Sequence, residues 1–128
     1  KNTSLITLRG QVDQNQIIRE LSHYDYFVLP SLHETFGRAY IEAFSVGLPI
    51  ISTNNGNLKY LVNHEVNGFV TGTSVKDIEK SLKLAFSKTP SEYNNLSKNA
   101  ILNAQHYSAD SVSKTLISIF KKEKIYFR

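Results

Sequence analysis

The apolar positions change their period several times along the chain, and each change marks an element. Leu5-Ile6-Thr7-Leu8 alternates and stops at Arg9-Gly10, which predicts a strand meeting a turn. Ile17, Ile18 and Leu21 then recur at helical spacing behind Asp13 and Gln14, so a helix is expected that ends near Ser22 to Asp25. Tyr26-Phe27-Val28-Leu29 is an apolar run stopped by Pro30, the mark of a short strand. Past a polar loop, Ala39, Tyr40, Ile41, Ala43, Phe44 and Val46 make a helix that is apolar on nearly every side. Gly47 and Pro49 stop it, and Ile50-Ile51-Ser52 opens the next strand. This β-α-β-α-β alternation predicts an α/β fold with a parallel sheet, right-handed crossovers, and ligands at the carboxyl ends of the strands.

Downstream, Thr53-Asn54-Asn55-Gly56-Asn57 is a turn-rich loop, and Leu58 to Val62 a short helix. His64 to Val70 reads as a turn into a final short strand, with Asn67-Gly68 the strongest local turn signal. The rest is helical. Val75, Ile78, Leu82, Ala85 and Phe86 share one face behind Ser74 as N-cap, with Asp77 and Glu79 in the first turn. Pro90 begins a second helix whose buried face is expected to hold Tyr93, Leu96, Ala100 and Ile101. Ser108 or Asp110 opens a third, with Val112, Leu116, Ile119 and Phe120 in period. At 128 residues, with no repeat or low-complexity linker, the chain reads as a single domain over 1–128.

Composition narrows the chemistry. No cysteine is present, so disulfides, thiol catalysis and cysteine-based metal sites are excluded. Apolar runs fall far short of the roughly 20 residues that span a bilayer, and Lys1-Asn2-Thr3-Ser4 does not read as a signal peptide. The net charge of +4 is modest; Lys121, Lys122, Lys124 and Arg128 crowd one end, a solvated tail rather than a nucleic-acid stripe. His23, His33, His64 and His106 lack metal-ligand spacing, so no metal site is expected. Ser31, His33 and Glu34 are triad residue types, but neighbours on one loop seldom adopt triad geometry, and no nucleophile elbow surrounds Ser31.

Two carboxylates stand out, Glu34 in the loop and Glu42 in the apolar helix. A charged group on such a helix must be paired, hydrogen-bonded or open to a cleft. Ser31-x-x-Glu34 also fits a capping box, a purely structural role. Gly37 permits close backbone approach, and the free N–H groups of the first helical turn suit an anionic oxygen. Phe36, just ahead of Gly37, is open to two readings, a site wall or a core plug.

The whole string from Leu29 to Ser52 resembles the donor-binding signature of retaining glycosyltransferases of the GT-B fold, glycosyltransferase family 4 or group 1 type. Pro30-Ser31, Glu34 and Glu42 with seven residues between them, Phe36-Gly37, Glu42-Ala43 and Gly47-x-Pro49 all match, and the resemblance runs over essentially all 128 residues. It implies a Rossmann-like sheet forming part of the C-terminal, nucleotide-sugar-binding half of a larger enzyme. The chain departs from the pattern in three places. His23-Tyr24-Asp25-Tyr26 replaces the usual Ala-Asp pair, Asn55-Gly56-Asn57 keeps one glycine of a Gly-Gly pair, and Tyr60 stands where a glutamate is frequent. The family's first strand of this half, with its Arg and Lys, and its N-terminal acceptor domain have no counterpart.

By this resemblance, Glu42 would hold the ribose hydroxyls and Glu34, the catalytic candidate, the transferred sugar and its oxocarbenium-like transition state. Backbone N–H groups at Phe36, Gly37 and Arg38 would neutralise the departing diphosphate, with Arg38 at the right end of the helix to help and Gly56 lining the sugar side. The expected ligand is a nucleoside-diphosphate sugar, with no cofactor and no metal. The missing N-terminal domain is the expected partner, so the chain alone is expected to transfer no sugar. Bacterial polysaccharide or lipopolysaccharide biosynthesis, a cytoplasmic location and a peripheral seat on the inner membrane face of the complete enzyme follow only from the breadth of the family. A related nucleotide-sugar epimerase or phosphorylase, and a non-catalytic nucleotide-binding α/β module, remain open beside it.

Overall fold

Parallel strands cannot be joined by tight turns, so each step across such a sheet needs a crossover. The computed structural model describes residues 5–123 and shows these crossovers as helices. The order is α1 (Gln14–Leu21), β1 (Phe27–Val28), α2 (Arg38–Ser45), β2 (Ile50–Thr53), α3 (Leu58–Leu61), β3 (Gly68–Thr71), α4 (Val75–Phe86), α5 (Pro90–Gln105) and α6 (Ala109–Lys122). The strands lie side by side as β1-β2-β3, all parallel, with Phe27 beside Ile50 and Ile50 beside Gly68. The expected α/β layering is therefore present, as a three-stranded sheet.

Period-two geometry in β2 divides the core in two. Ile50 faces Tyr40, Ala43, Phe44, Leu48 and the apolar side of α3. Ile51 points the other way, onto Phe69, Ala85 and Leu96. Helix α5 closes both layers, giving Ala100 to the first and Leu96 to the second. It also packs along α2, so the helix carrying Glu42 is held from behind.

Several expectations are corrected. Leu5 to Leu8 forms no strand; Leu5, Ile6 and Leu8 are 82%, 74% and 92% exposed. The reason lies in the edge it would join. Phe27 and Leu29 turn their N–H groups toward Pro49 and Ile51 (3.1 Å each), leaving Val28 as the outward-facing residue of a two-residue strand. One such residue does not offset the ordering of a four-residue segment. On α4, Val75 and Phe86 are exposed rather than buried; the residues packed in the Phe69 layer are Leu82, Leu84 and Ala85. Ile101 on α5 is likewise 40% exposed. Residues 1–4, Lys124 and Arg128, which entered the reading of the two ends, lie outside the described residues.

The helix starts agree with their caps. Ser74 and Asp77 form a reciprocal capping box on α4, Thr89 and Glu92 form another on α5 behind Pro90, and Ser108 caps α6. Glu92 receives the Thr89 hydroxyl at 2.6 Å and the Thr89 N–H at 2.8 Å, and these donors hold its carboxyl below the usual range. A folded pKa below the unfolded one contributes stability above the ordinary carboxyl value of 4.5, lost as pH falls through the folded value. Thr89→Ala should lower unfolding free energy by about 1 kcal/mol at neutral pH. Urea melts should show that difference shrinking below pH 4.5.

Candidate functional site

The site is built at the carboxyl ends of β1 and β2. Pro30 ends β1, and the loop from Ser31 turns into α2 at Gly37, which has φ 80° and carries no side-chain cap. A Cβ at Gly37 would come within 2.7 Å of the Tyr40 ring, so glycine answers both the left-handed backbone and the tight packing. The expected Ser31-x-x-Glu34 capping box is absent. The helix starts at Arg38, four residues past Glu34, so that carboxylate precedes the first turn instead of lying within it. Ser31 Oγ donates to the His33 carbonyl at 2.8 Å, which also denies it a triad role. Glu34 Oε1 accepts from Thr35 N at 3.0 Å and from Gly37 N at 3.1 Å. The acid thus satisfies the backbone N–H just ahead of the helix.

The β2–α3 loop is fastened to this motif loop. Thr53 Oγ1 and Asn55 Nδ2 both donate to the Ser31 carbonyl, the latter at 3.2 Å. Asn57 donates its side-chain amide to the Thr35 carbonyl and its N–H to Glu34 O at 3.5 Å. Gly56, with φ 60°, lies against the Glu34 backbone so closely that a Cβ there would stand 2.2 Å from the carbonyl oxygen. Beneath both loops, Tyr40 Oη donates to Leu29 O at 2.8 Å, with Ser52 Oγ 3.0 Å from the same carbonyl. Burial pushes the Tyr40 phenol above its ordinary value, partly opposed by the Ser52 hydrogen bond and assisted by the charge on Glu34.

Phe36, Arg38, Ile41, Glu42 and Tyr107 line a cavity of about 210 Å³ beside the start of α2. Phe36 is 50% exposed and meets Tyr107 edge-on, with centroids 6.0 Å apart at 75°. It is thus no core plug, and it lines this cavity. Glu42 is partly buried, and Arg38, largely in solvent, is 4.0 Å away one turn back, an ion pair of little strength. Three of the sequence candidates therefore share one cavity. Glu34 and Gly56 meet one another behind it, and Gly37 joins the two groups. Tyr60, 67% exposed beneath the Lys59 ammonium, is not among the residues that line the cavity.

Tyr107 and the Asn55–Asn57 clamp were not anticipated. Tyr107 follows α5 and reaches Phe36 only through the tertiary fold, so no local pattern marks it. The clamp carried a signal, since an Asn-rich loop at a strand's carboxyl end is rich in short side-chain donors.

The family profile described as "Glycosyl transferases group 1" matches residues 3–125. The chain belongs to the group 1 glycosyl transferases. An uncharacterized glycosyltransferase of Methanocaldococcus jannaschii is 25% identical over 123 residues, covering 91% of this chain and 30% of that protein. Sucrose-phosphate synthase of Thermosynechococcus elongatus superposes with a TM-score of 0.82 at 22% identity, over 94% of this chain and 30% of the other. The Anabaena protein HepE, solved with UDP-glucose, superposes with a TM-score of 0.71 at 22% identity, over 83% and 30%. The fold is thus that of GT-B glycosyltransferases. This group 1 chain spans about 30% of the length of each of these three relatives. Among the described residues no helix is long and apolar enough to cross a membrane.

The clamp gives a direct check. Gly56→Ala combines a left-handed backbone with a clash on Glu34 O, so it should cost about 1–3 kcal/mol. Amide spectra should show the change concentrated at residues 31–37, with the β3 amides unmoved.

Proposed function

We propose that this chain is the donor-binding part of a retaining glycosyltransferase that uses a nucleoside-diphosphate sugar. The observation that carries the reading is the placement of the Glu42 carboxylate in one cavity with Arg38 and the half-exposed Phe36, at the start of α2. A carboxylate accepts from two vicinal hydroxyls at once, which suits it to a ribose. The N–H groups at Phe36, Gly37 and Arg38 stand where the helix dipole favours negative charge, which suits them to the leaving diphosphate. HepE, which shares the fold, binds UDP-glucose, and that supports UDP as the first nucleotide to test.

Glu34 has two states in this reading. Without ligand it covers the Gly37 N–H. An incoming phosphate oxygen would compete for that N–H and free the carboxylate to accept hydroxyls of the transferred sugar. There it would offset positive charge as the glycosidic bond loosens, while the diphosphate oxygen carries away the electron pair. Backbone N–H groups and Arg38 carry the diphosphate charge in this scheme, so no divalent metal is required. A second domain brings the acceptor and closes the cleft, which leaves the chain alone without transferase activity. Sugar, acceptor and membrane contact are matters for the complete enzyme.

Titration of the chain with UDP, GDP, ADP and CMP, followed by amide shifts of residues 34–42, tests the site. One nucleoside diphosphate should give saturable shifts, weakened about tenfold or more in Glu42→Gln. In the complete enzyme, Glu34→Gln should lower kcat about 10²–10³-fold with little change in KM, whereas Glu42→Gln should mainly raise KM. Unchanged kinetics in both variants, together with no nucleotide shift, would sink the reading.

A further inference from the structure

A second depression lies at the opposite end of the sheet, where the chain enters β1. Its volume is about 400 Å³, and three aromatic side chains form its walls: Tyr26, Phe86 and Tyr93. Tyr26 is the centre. Phe86 meets it edge-on at 5.7 Å and 72°, and Tyr93 does so at 5.5 Å and 78°. Both tyrosine hydroxyls are spent inside the fold, Tyr26 donating to Ala85 O at 2.8 Å and Tyr93 to Asp25 O at 3.0 Å. What these rings offer a ligand is therefore apolar ring surface. Phe86 offers most of it, being 69% exposed at the end of α4, where a helix of this pattern would be expected to bury it.

The rim is polar and of mixed sign. The Asp25 carboxylate only accepts, the Lys88 ammonium only donates, and the Asn94 amide does both. Lys88 is already anchored by Glu65 at 2.5 Å, with Glu92 at 3.9 Å, so it is a fixed donor instead of a searching charge. The Asp25 and Asn94 side chains have no hydrogen-bond partner within the described residues. With one acid and one base on the rim, the depression does not select an anion or a cation. A lone ammonium ligand would meet Lys88, and a phosphate would meet Asp25. The ligand type that answers aromatic walls and a rim of both donors and acceptors is a neutral ring with an apolar C–H face and hydroxyls around its edge.

From this geometry we infer that the Tyr26–Phe86–Tyr93 depression is a second saccharide-binding site, separate from the nucleotide-sugar site and at the other end of the strands. One sugar ring lies on Phe86 and Tyr26, and its hydroxyls bridge Asp25, Asn94 and Lys88. Its position excludes a part in bond making. It tethers a glycan, so that a growing or acceptor chain stays near the enzyme between transfers. The binding itself does not depend on the donor reading; only the tethering role does.

The test is an amide-shift titration of the chain with maltotriose, cellotriose, chitotriose and mannotriose at millimolar concentration, with glycerol and UDP as controls. At least one trisaccharide should give saturable shifts at Tyr26, Phe86, Tyr93 and Asn94 while glycerol and UDP leave those amides unmoved. Phe86→Ala, at an exposed position, and Asp25→Asn should each weaken that binding about tenfold. No saturable shift with any of the four, shifts that glycerol reproduces, or shifts indifferent to Phe86→Ala would overturn the proposal. UDP shifts at residues 34–42 report on the donor site in the same samples, so the two sites fail or stand separately.

Discussion

The Leu29 carbonyl is the point on which the site hangs. It lies just past β1, ahead of Pro30, and two buried hydroxyls converge on it, Tyr40 Oη from α2 and Ser52 Oγ from β2. Ser52 Oγ is also 3.2 Å from Tyr40 Oη, so its single proton has two acceptors in reach. Buried polar groups are costly when unmade, and here three elements each hold a group that only the other two can satisfy. The end of β1, the start of α2 and the middle of β2 are thereby fixed to one another. The loops that carry Glu34 and Gly56 leave from those three fixed points. Gly37 belongs to the same arrangement, since any side chain there would push into the Tyr40 ring.

Above this knot the loops are held backbone to backbone. The β2–α3 loop gives its side-chain donors to the carbonyls of Ser31 and Thr35 and its glycine to the surface of Glu34. The carbonyls of Ser31, Glu34 and Thr35 accept from the neighbouring loop, whereas the N–H groups of Thr35 and Gly37, just ahead of α2, are answered by the Glu34 carboxylate. Glu42 differs in kind. It stands on a helix packed against α5 and α1, and its position is set by the core instead of by loop contacts.

The two ends of the sheet therefore have unlike characters. At the carboxyl ends, Glu42, Arg38 and two aromatic rings line a small cavity, with Glu34 on the adjoining loop. At the amino ends, aromatic rings whose hydroxyls are already bound leave apolar surface open. Helix α6 adds a third surface, with Val112, Leu116 and Ile119 each nearly half exposed along it. Helix α5 is the element common to all of this. It buttresses α2, buries Leu96 and Ala100 in opposite layers, starts beside the amino-end depression, and delivers Tyr107 to Phe36.

What the sequence by itself determined is everything that depends on neighbours along the chain. Pro30, Gly37, Gly47 and Pro49 bound the central strand, loop and helix because φ limits act residue by residue. Ser74, Pro90 and Ser108 or Asp110 mark three helix starts because an N-cap or a first-turn proline acts within its own turn. The spacing of Glu34 and Glu42 pointed to the acids, and the alternation of apolar runs to a parallel α/β sheet. Tertiary structure decided the rest. Leu5 to Leu8 has strand periodicity but no adequate edge to pair with, and pairing is a property of two segments. Phe86 keeps the helical period yet stays exposed, meeting Tyr26 edge-on while Leu82 and Ala85 pack in the Phe69 layer. Phe36 meets Tyr107 and Gly56 meets the carbonyl of Glu34, contacts between residues far apart in the chain that no local pattern encodes. The Ser31-x-x-Glu34 spacing fits a capping box, yet no box forms, because α2 begins only after Gly37 and Glu34 accepts from the Gly37 N–H ahead of it.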